Sequence, residues 1–263
     1  MAIGRKQRTT EKDWSSAIEN IESIVSKEHI DKLIAKTVKE IKEVTKGKKA
    51  AFSWSAGKDS IALQTVCEIA GITDCVFVCC DLEYTEFMKW VEIHKPRGCT
   101  IINTHQDLKW LAEHQDMLFP QDSSVAGRWF KIIQHTGQEK YFKDNNLDIL
   151  ILGRRRADGN YVGKGSNIYT NGKGITRYSP LADWTHEEIL ACIHYFDMPL
   201  PPIYSWKNGY LCGTHNFAER QWTSSIENGW QEVYDIEPEW VYRAAEYIES
   251  AREFLNGKTE KES

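Results

Sequence analysis

The sequence predicts an α/β fold: a parallel sheet with helices on both faces, a helical extension in front of it and a helical segment behind. Three observations carry this. Four short apolar runs, AAFSW at 50–54, DCVFVCC at 74–80, CTIINT at 99–104 and LDILILG at 147–153, have the length and continuity of buried strands. Segments of helical periodicity separate them, as the crossovers of a parallel sheet require. The 263 residues suffice for one such domain with appendages and leave little for a second large one.

In chain order, residues 13–26 place Trp14, Ala17, Ile18, Ile21, Ile24 and Val25 at helical spacing, and 29–45 repeat the pattern with Ile30, Leu33, Ile34, Val38, Ile41 and Val44. These two amphipathic helices form an extension over 1–47, read as a cover for the sheet in preference to a homodimer contact. The KGKK run at 46–49 ends the second, and the first strand then leads straight into a Gly-containing loop. A helix from Ser60 to Ala70 stops at Gly71, which accepts the left-handed conformation of a helix end. Residues 84–95 and 127–145 read as further helices. Between 154 and 178 Gly, Asn, Arg and Lys dominate, as in a mobile loop or a hairpin turning at Asn171 and Gly172. PLADWTHEEILACIHYF restores the helical pattern with Asp183 or Thr185 as N-cap, and the last helix, 238–256, opens on Pro238. The main domain is expected over 48–222 and the closing helical segment over 223–263.

Composition bounds the function classes. With 41% hydrophobic and 27% charged residues and a mean hydropathy of -0.52, the chain reads as globular and no apolar run reaches spanning length. Its leading segment, MAIGRKQRTTEKDW, has positive charges with no apolar stretch after them, so neither a signal peptide nor an anchor is expected and a cytoplasmic location is. Seven scattered cysteines fit reduced thiols. A net charge of -5 excludes a globally basic nucleic-acid binder while permitting a local basic patch. Among the ten tryptophans, Trp110, Trp129, Trp184 and Trp222 read as core or interface aromatics.

The chemistry concentrates in AFSWSAGKDSIALQ. Ser55, Gly57, Asp59 and Ser60 fall on the turn between a strand and a helix, where backbone N–H groups and the positive helix end face an anion and Lys58 adds a donor. The spacing is neither Walker A nor G-x-G-x-x-G. After the fourth strand, LGRRRADG sets Arg154, Arg155 and Arg156 at the ligand edge of the sheet, as forked donors to phosphate or sulfate oxygens.

SAGKDS resembles the SGGKDS signature of PP-loop ATP pyrophosphatases, and over about residues 48–222 the chain is similar to the phosphoadenosine phosphosulfate (PAPS) reductase family. That resemblance implies a Rossmann-like sheet of the HUP type and a nucleotide site made by Ser53, Ser55, Ala56, Gly57, Lys58, Asp59 and Ser60, with Gly153, Arg154, Arg155 and Arg156 opposite. Lys58, Asp59 and Arg155 would be its catalytic members. VFVCCDLEYTE is similar to the family's DTGxExPET strand end, with Glu83 and Glu86 on the acidic positions; Cys79 replaces the first Asp and Cys80 the Thr, leaving Asp81 to supply a carboxylate. SPLADWTHEEIL and LPPIYSWKNGYLCGTH resemble later family segments, which makes His215 a further candidate and Asp183 and Trp184 structural markers.

The departures bear on activity. PAPS reductases use a cysteine in an ECGLH-type tail, and this chain has none after Cys212, itself a candidate for a redox role. Cys79 and Cys80 read as small core residues, no iron-sulfur cluster is expected and no metal ligand is assigned, while Asp59 orients the loop or helps hold magnesium. The resemblance therefore implies an ATP pyrophosphatase-type enzyme of sulfur transfer, using ATP with Mg2+ to adenylate an acceptor, as in nucleic-acid thiolation or DNA phosphorothioation. A thiol-dependent reductase of PAPS or adenylyl sulfate, and a non-catalytic nucleotide-binding subunit, are the alternatives. Expected partners are the adenine nucleotide, a sulfur-donor protein or thioredoxin-like reductant, and a nucleic-acid acceptor.

Overall fold

The computed structural model describes residues 9–262, so the first eight residues of the leading segment lie outside the described residues. Contacts divide the chain into two compact units. One holds the residues up to Val78, Val91–Ile102 and Gln138–Pro201; the other holds Cys79–Trp90, Asn103–Gly137 and everything from Pro202.

In the first unit, α1 (Glu11–Glu19) starts at a reciprocal cap between Thr10 and Asp13, and α2 (Ile21–Ile24) and α3 (Lys27–Thr45) follow. Then come β1 (Ala50–Ser53), α4 (Lys58–Ala70), β2 (Asp74–Cys79), α5 (Thr85–His94) and β3 (Gly98–Asn103), α5 passing between the units. Gly71 ends α4 at φ 89, as its position in the sequence predicts. The helix begins two residues earlier than expected, because Gly57 is extended at ψ 154 and the chain coils immediately after it. Lys58, Asp59 and Ser60 therefore occupy the first helical turn, not the loop.

In the second unit lie α6 (Leu108–Glu113) and α7 (Ser123–Phe130), the latter capped by Asp122. The helix read over 127–145 starts earlier, with α7, and passes through a π-turn at Lys131–His135 into α8 (Thr136–Asp144), where the chain returns to the first unit. There β4 (Ile149–Ile151), β5 (Ile168–Thr170), β6 (Thr176–Tyr178) and α9 (His186–Tyr195) follow. Thr185, not Asp183, caps α9 through a reciprocal bond with Glu188.

The strand order is β3-β2-β1-β4-β6-β5. β1 pairs in parallel with β2 and β4, and β4 with β6, while β5 runs antiparallel to β6. The sheet is thus mixed at one edge: β5 and β6 are joined by the short turn around Asn171 and Gly172, and a connection that short reverses the chain. Sequence order reverses direction at β1, with β2 on one side and β4 on the other, so the crevice beyond the carboxyl ends of β1 and β4 is the switch point where such sheets bind ligands. Helices α2, α3, α4 and α9 pack against one another, burying Ile30, Ile34, Ile41, Ile61, Leu63, Val66, Ile189 and Ile193.

The second unit closes with α10 (Gly209–Cys212), α11 (Ile226–Ile236), α12 (Pro238–Ala244) and α13 (Glu249–Glu262) around Trp230, Val233, Trp240 and Val241. The single last helix expected from sequence breaks between Ala244 and Glu249, where Arg252 Nε donates to the Ala245 carbonyl at 3.2 Å. Of the four tryptophans read as core or interface, Trp129 and Trp184 are buried and Trp110 is half-buried, stacked on His114. Trp222 is instead 39% exposed at φ 62. Among the described residues no helix is long and apolar enough to cross a membrane.

Candidate functional site

Four residues connect β1 to α4 at the switch point. The Trp54 N–H still donates to Val76, extending the sheet by one bond, and Ala56 then turns the chain at φ 57. For alanine that left-handed conformation costs roughly 1–2 kcal/mol. The Ser60 hydroxyl staples the turn: it accepts from the Ser55 N–H at 3.0 Å and donates to the Gly57 carbonyl at 2.9 Å. Gly57 is the N-cap of α4, and among the described residues no side chain caps that end. Its φ of -76 is open to any residue, so what glycine contributes here is a bare Cα beside the positive end of the helix.

The cations expected at phosphate are folded inward. Lys58 is 3% exposed; its Nζ lies 2.8 and 3.0 Å from the two Asp59 carboxylate oxygens and 5.8 Å from the Trp14 ring centroid. Arg155 is fully buried: Nε pairs with Asp59 Oδ1 at 2.8 Å, Nη2 with Asp158, and Nη1 donates to the Trp184 carbonyl. Nη2 also meets His186 Nδ1 at 2.9 Å. A guanidinium can only donate, so Nδ1 is the acceptor and the His186 proton is on Nε2.

Asp59 is thus held between two cations and ties the loop after β4 to the first turn of α4. Both of its oxygens face these cations, which fixes the first turn of α4 against the arginine loop.

Gly153 brings the two loops together backbone to backbone. A Cβ there would lie 3.0 Å from the Asp59 carbonyl oxygen. Arg154 is half-buried and donates from Nη1 to the Tyr169 hydroxyl at 2.8 Å; Arg156 is exposed and pairs with Asp183 and Asn167. The Ser53 hydroxyl accepts from Gln138 Nε2 at 3.1 Å.

The remaining candidates belong to the second unit. Asp81 is exposed and accepts from Asn103, with His105 Nδ1 at 3.3 Å. Burial pushes the Glu83 carboxyl up to about 8, against the Cys80 N–H that donates to Oε1, and among the described residues Oε2 has no hydrogen-bond partner. The neighbouring charge of Glu219 adds to that rise, and His215 Nδ1 pairs with Glu219 at 3.0 Å. Cys79, Cys80 and Cys212 are buried; the Cys212 thiol is 3.8 Å from the Gln221 carbonyl. Among the described residues no three His, Cys, Asp or Glu side chains converge as a metal site would need.

A model of the phosphoadenosine phosphosulfate reductase domain matches residues 49–216, well over half the chain. The chain belongs to this family. It is accordingly a domain of an enzyme family. A phosphoadenosine phosphosulfate reductase of Emericella nidulans is 21% identical over 112 residues, 43% of this chain; the match spans about a third (34%) of that relative's length. The solved PAPS reductase of Candida auris, a phosphate complex, superposes with a TM-score of 0.51 at 15% identity, over 73% of this chain and 96% of that one, a likeness of fold.

Within this PAPS reductase-family domain, sequence reasoning missed Trp14, Asp158 and His186, which surround Lys58 and Arg155. Asp158 had a signal, three residues after Arg155. Trp14 and His186, whose rings meet edge-on at 5.1 Å, come together only through the packing of the helices that carry them.

Proposed function

We propose that this member of the PAPS reductase family is an ATP pyrophosphatase-type enzyme of sulfur transfer. An acceptor oxygen attacks the α-phosphorus of MgATP, the bond to the β-phosphate breaks, pyrophosphate leaves, and a sulfur nucleophile then displaces AMP. The observation that carries this is the uncapped start of α4 at the switch point, tied by Asp59 and Arg155 to the arginine loop after β4. The helix end and bare Gly57 receive phosphate oxygens, and the buried ion lattice holds their geometry fixed as charge develops on the leaving group. Magnesium enters as the counterion of ATP. A sulfur donor, as a persulfide-bearing protein or hydrosulfide, and a nucleic-acid acceptor complete the reading.

A thiol-dependent reductase is the second reading, favoured by the names of the relatives. Against it, six of the seven cysteines are buried and Cys99 is half-buried, whereas a nucleophilic thiolate needs an accessible, electropositive setting. Incubation with α-labelled ATP and candidate acceptors separates the two. AMP and pyrophosphate in equal amounts support the proposal; ADP and phosphate as the only products refute it, and sulfite released from PAPS in the presence of reduced thioredoxin supports the reductase.

A further inference from the structure

Residues 154–178 carry six Lys and Arg against one acid, Asp158, in a chain of net charge -5. Arg155 is neutralised by Asp59 and Asp158, Arg156 by Asp183 and Lys173 by Glu139. Arg177 is different. Its side chain is 4% exposed, yet among the described residues no carboxylate pairs with it and no acceptor meets its enclosed Nε.

The charge beside it is another cation, Arg154, whose Nη1 holds the hydroxyl of Tyr169, the cross-strand partner of Arg177. Burial, and then Arg177, press the Arg154 guanidinium below its ordinary range, against the hydrogen-bonded Tyr169. An enclosed guanidinium next to a second one is unfavourable until an anion completes it. On the solvent side, Tyr161 is 58% exposed and packs edge-on against Tyr169 at 4.9 Å, a rigid aromatic face at the rim of the cationic pair. Lys164 is exposed on the same loop.

We propose that the arm formed by residues 154–178 docks single-stranded nucleic acid, a phosphodiester completing the charge of Arg177 and a base stacking on Tyr161. Oxyanion and aromatic face together are what a nucleotide strand offers, and an arm of net positive charge on an acidic chain localises the strand there. The inference rests on the proposed function and deepens it by giving the nucleic-acid acceptor a docking arm and a single-stranded form. The docking step is measured without ATP, so its failure and the failure of ATP cleavage are separate results.

The test uses the full chain and a fluorescein-labelled single-stranded oligonucleotide of about twelve nucleotides, titrated by anisotropy at low and high salt. Arg177→Met is expected to weaken binding about tenfold or more and flatten its salt dependence, and to raise Tm, because it removes an enclosed unpartnered charge. Tyr161→Ala, at an exposed position, is expected to weaken it about five- to hundredfold. Both variants should keep the parent's ATP affinity. No saturable binding by the parent, or equal binding by parent and both variants, overturns the proposal. So does an Arg177→Met variant that loses affinity for adenosine 3′,5′-bisphosphate relative to AMP while binding the oligonucleotide normally, since the pair would then serve the second phosphate of a mononucleotide.

Discussion

Arg155 Nε and Asp59 Oδ1 meet at 2.8 Å, joining the loop after β4 to the first turn of α4 through a guanidinium that has no exposed surface. Removing one partner of a buried pair strands the other. Arg155→Met leaves Asp158 and the Trp184 carbonyl without their donor and Asp59 with Lys58 alone, and is expected to cost about 3–5 kcal/mol by urea denaturation. Arg155→Lys is expected to recover only a small part, because an ammonium cannot span acceptors placed for a planar fork.

Asp59→Asn keeps the shape of that junction and removes its charge. The first turn remains anchored less rigidly, so ATP cleavage should fall by a larger factor than ATP affinity. Turnover and Kd measured on the same preparation check this, as expected for a contact that matters most in the transition state.

At Gly153 the obstacle to a side chain is backbone, the Asp59 carbonyl 3.0 Å from the site of a Cβ. Backbone at the head of a helix cannot swing aside as a side chain does. Gly153→Ala should therefore part the arginine loop from α4 and weaken ATP binding by about tenfold or more with the circular dichroism unchanged.

Glu83 makes stability depend on pH. Burial raises its carboxyl from 4.5 to about 8 in the folded chain, so between those values the folded state holds a proton that the unfolded state has lost. Stability then falls as pH rises through this window, by up to about 1.4 kcal/mol per unit. Glu83→Gln removes that slope. The Tm difference between variant and parent should be small near pH 5 and grow in favour of the variant toward pH 8.

The parts of the fold written in local pattern were legible. Four apolar runs became β1 to β4, and Gly71 and Thr185 bounded their helices, because strand burial and caps are decided within a few residues. The break after Ala244 was not legible: AEYI has no Gly or Pro, and the bond from Arg252 to Ala245 is seen only once the helices are placed. At the site, SAGKDS and the arginines were legible as a charged turn after a strand. The inward direction of Lys58 and Arg155 was not, because it depends on Trp14 and His186, contributed by two other stretches of chain, as well as on the nearby Asp158. Arg177 gave no signal at all, being one cation in a strand where, among the described residues, no neighbour neutralises it.

The turn from Ser55 to Ser60 is the proposed nucleotide cradle, and calorimetric titration of ATP against Gly57→Val tests it most directly. The φ of -76 accommodates valine without backbone strain, so circular dichroism should match the parent while the branched side chain obstructs the helix end. The predicted result is a folded protein with no measurable ATP binding. A folded Gly57→Val variant that binds ATP as tightly as the parent would contradict the account and make the turn a structural one.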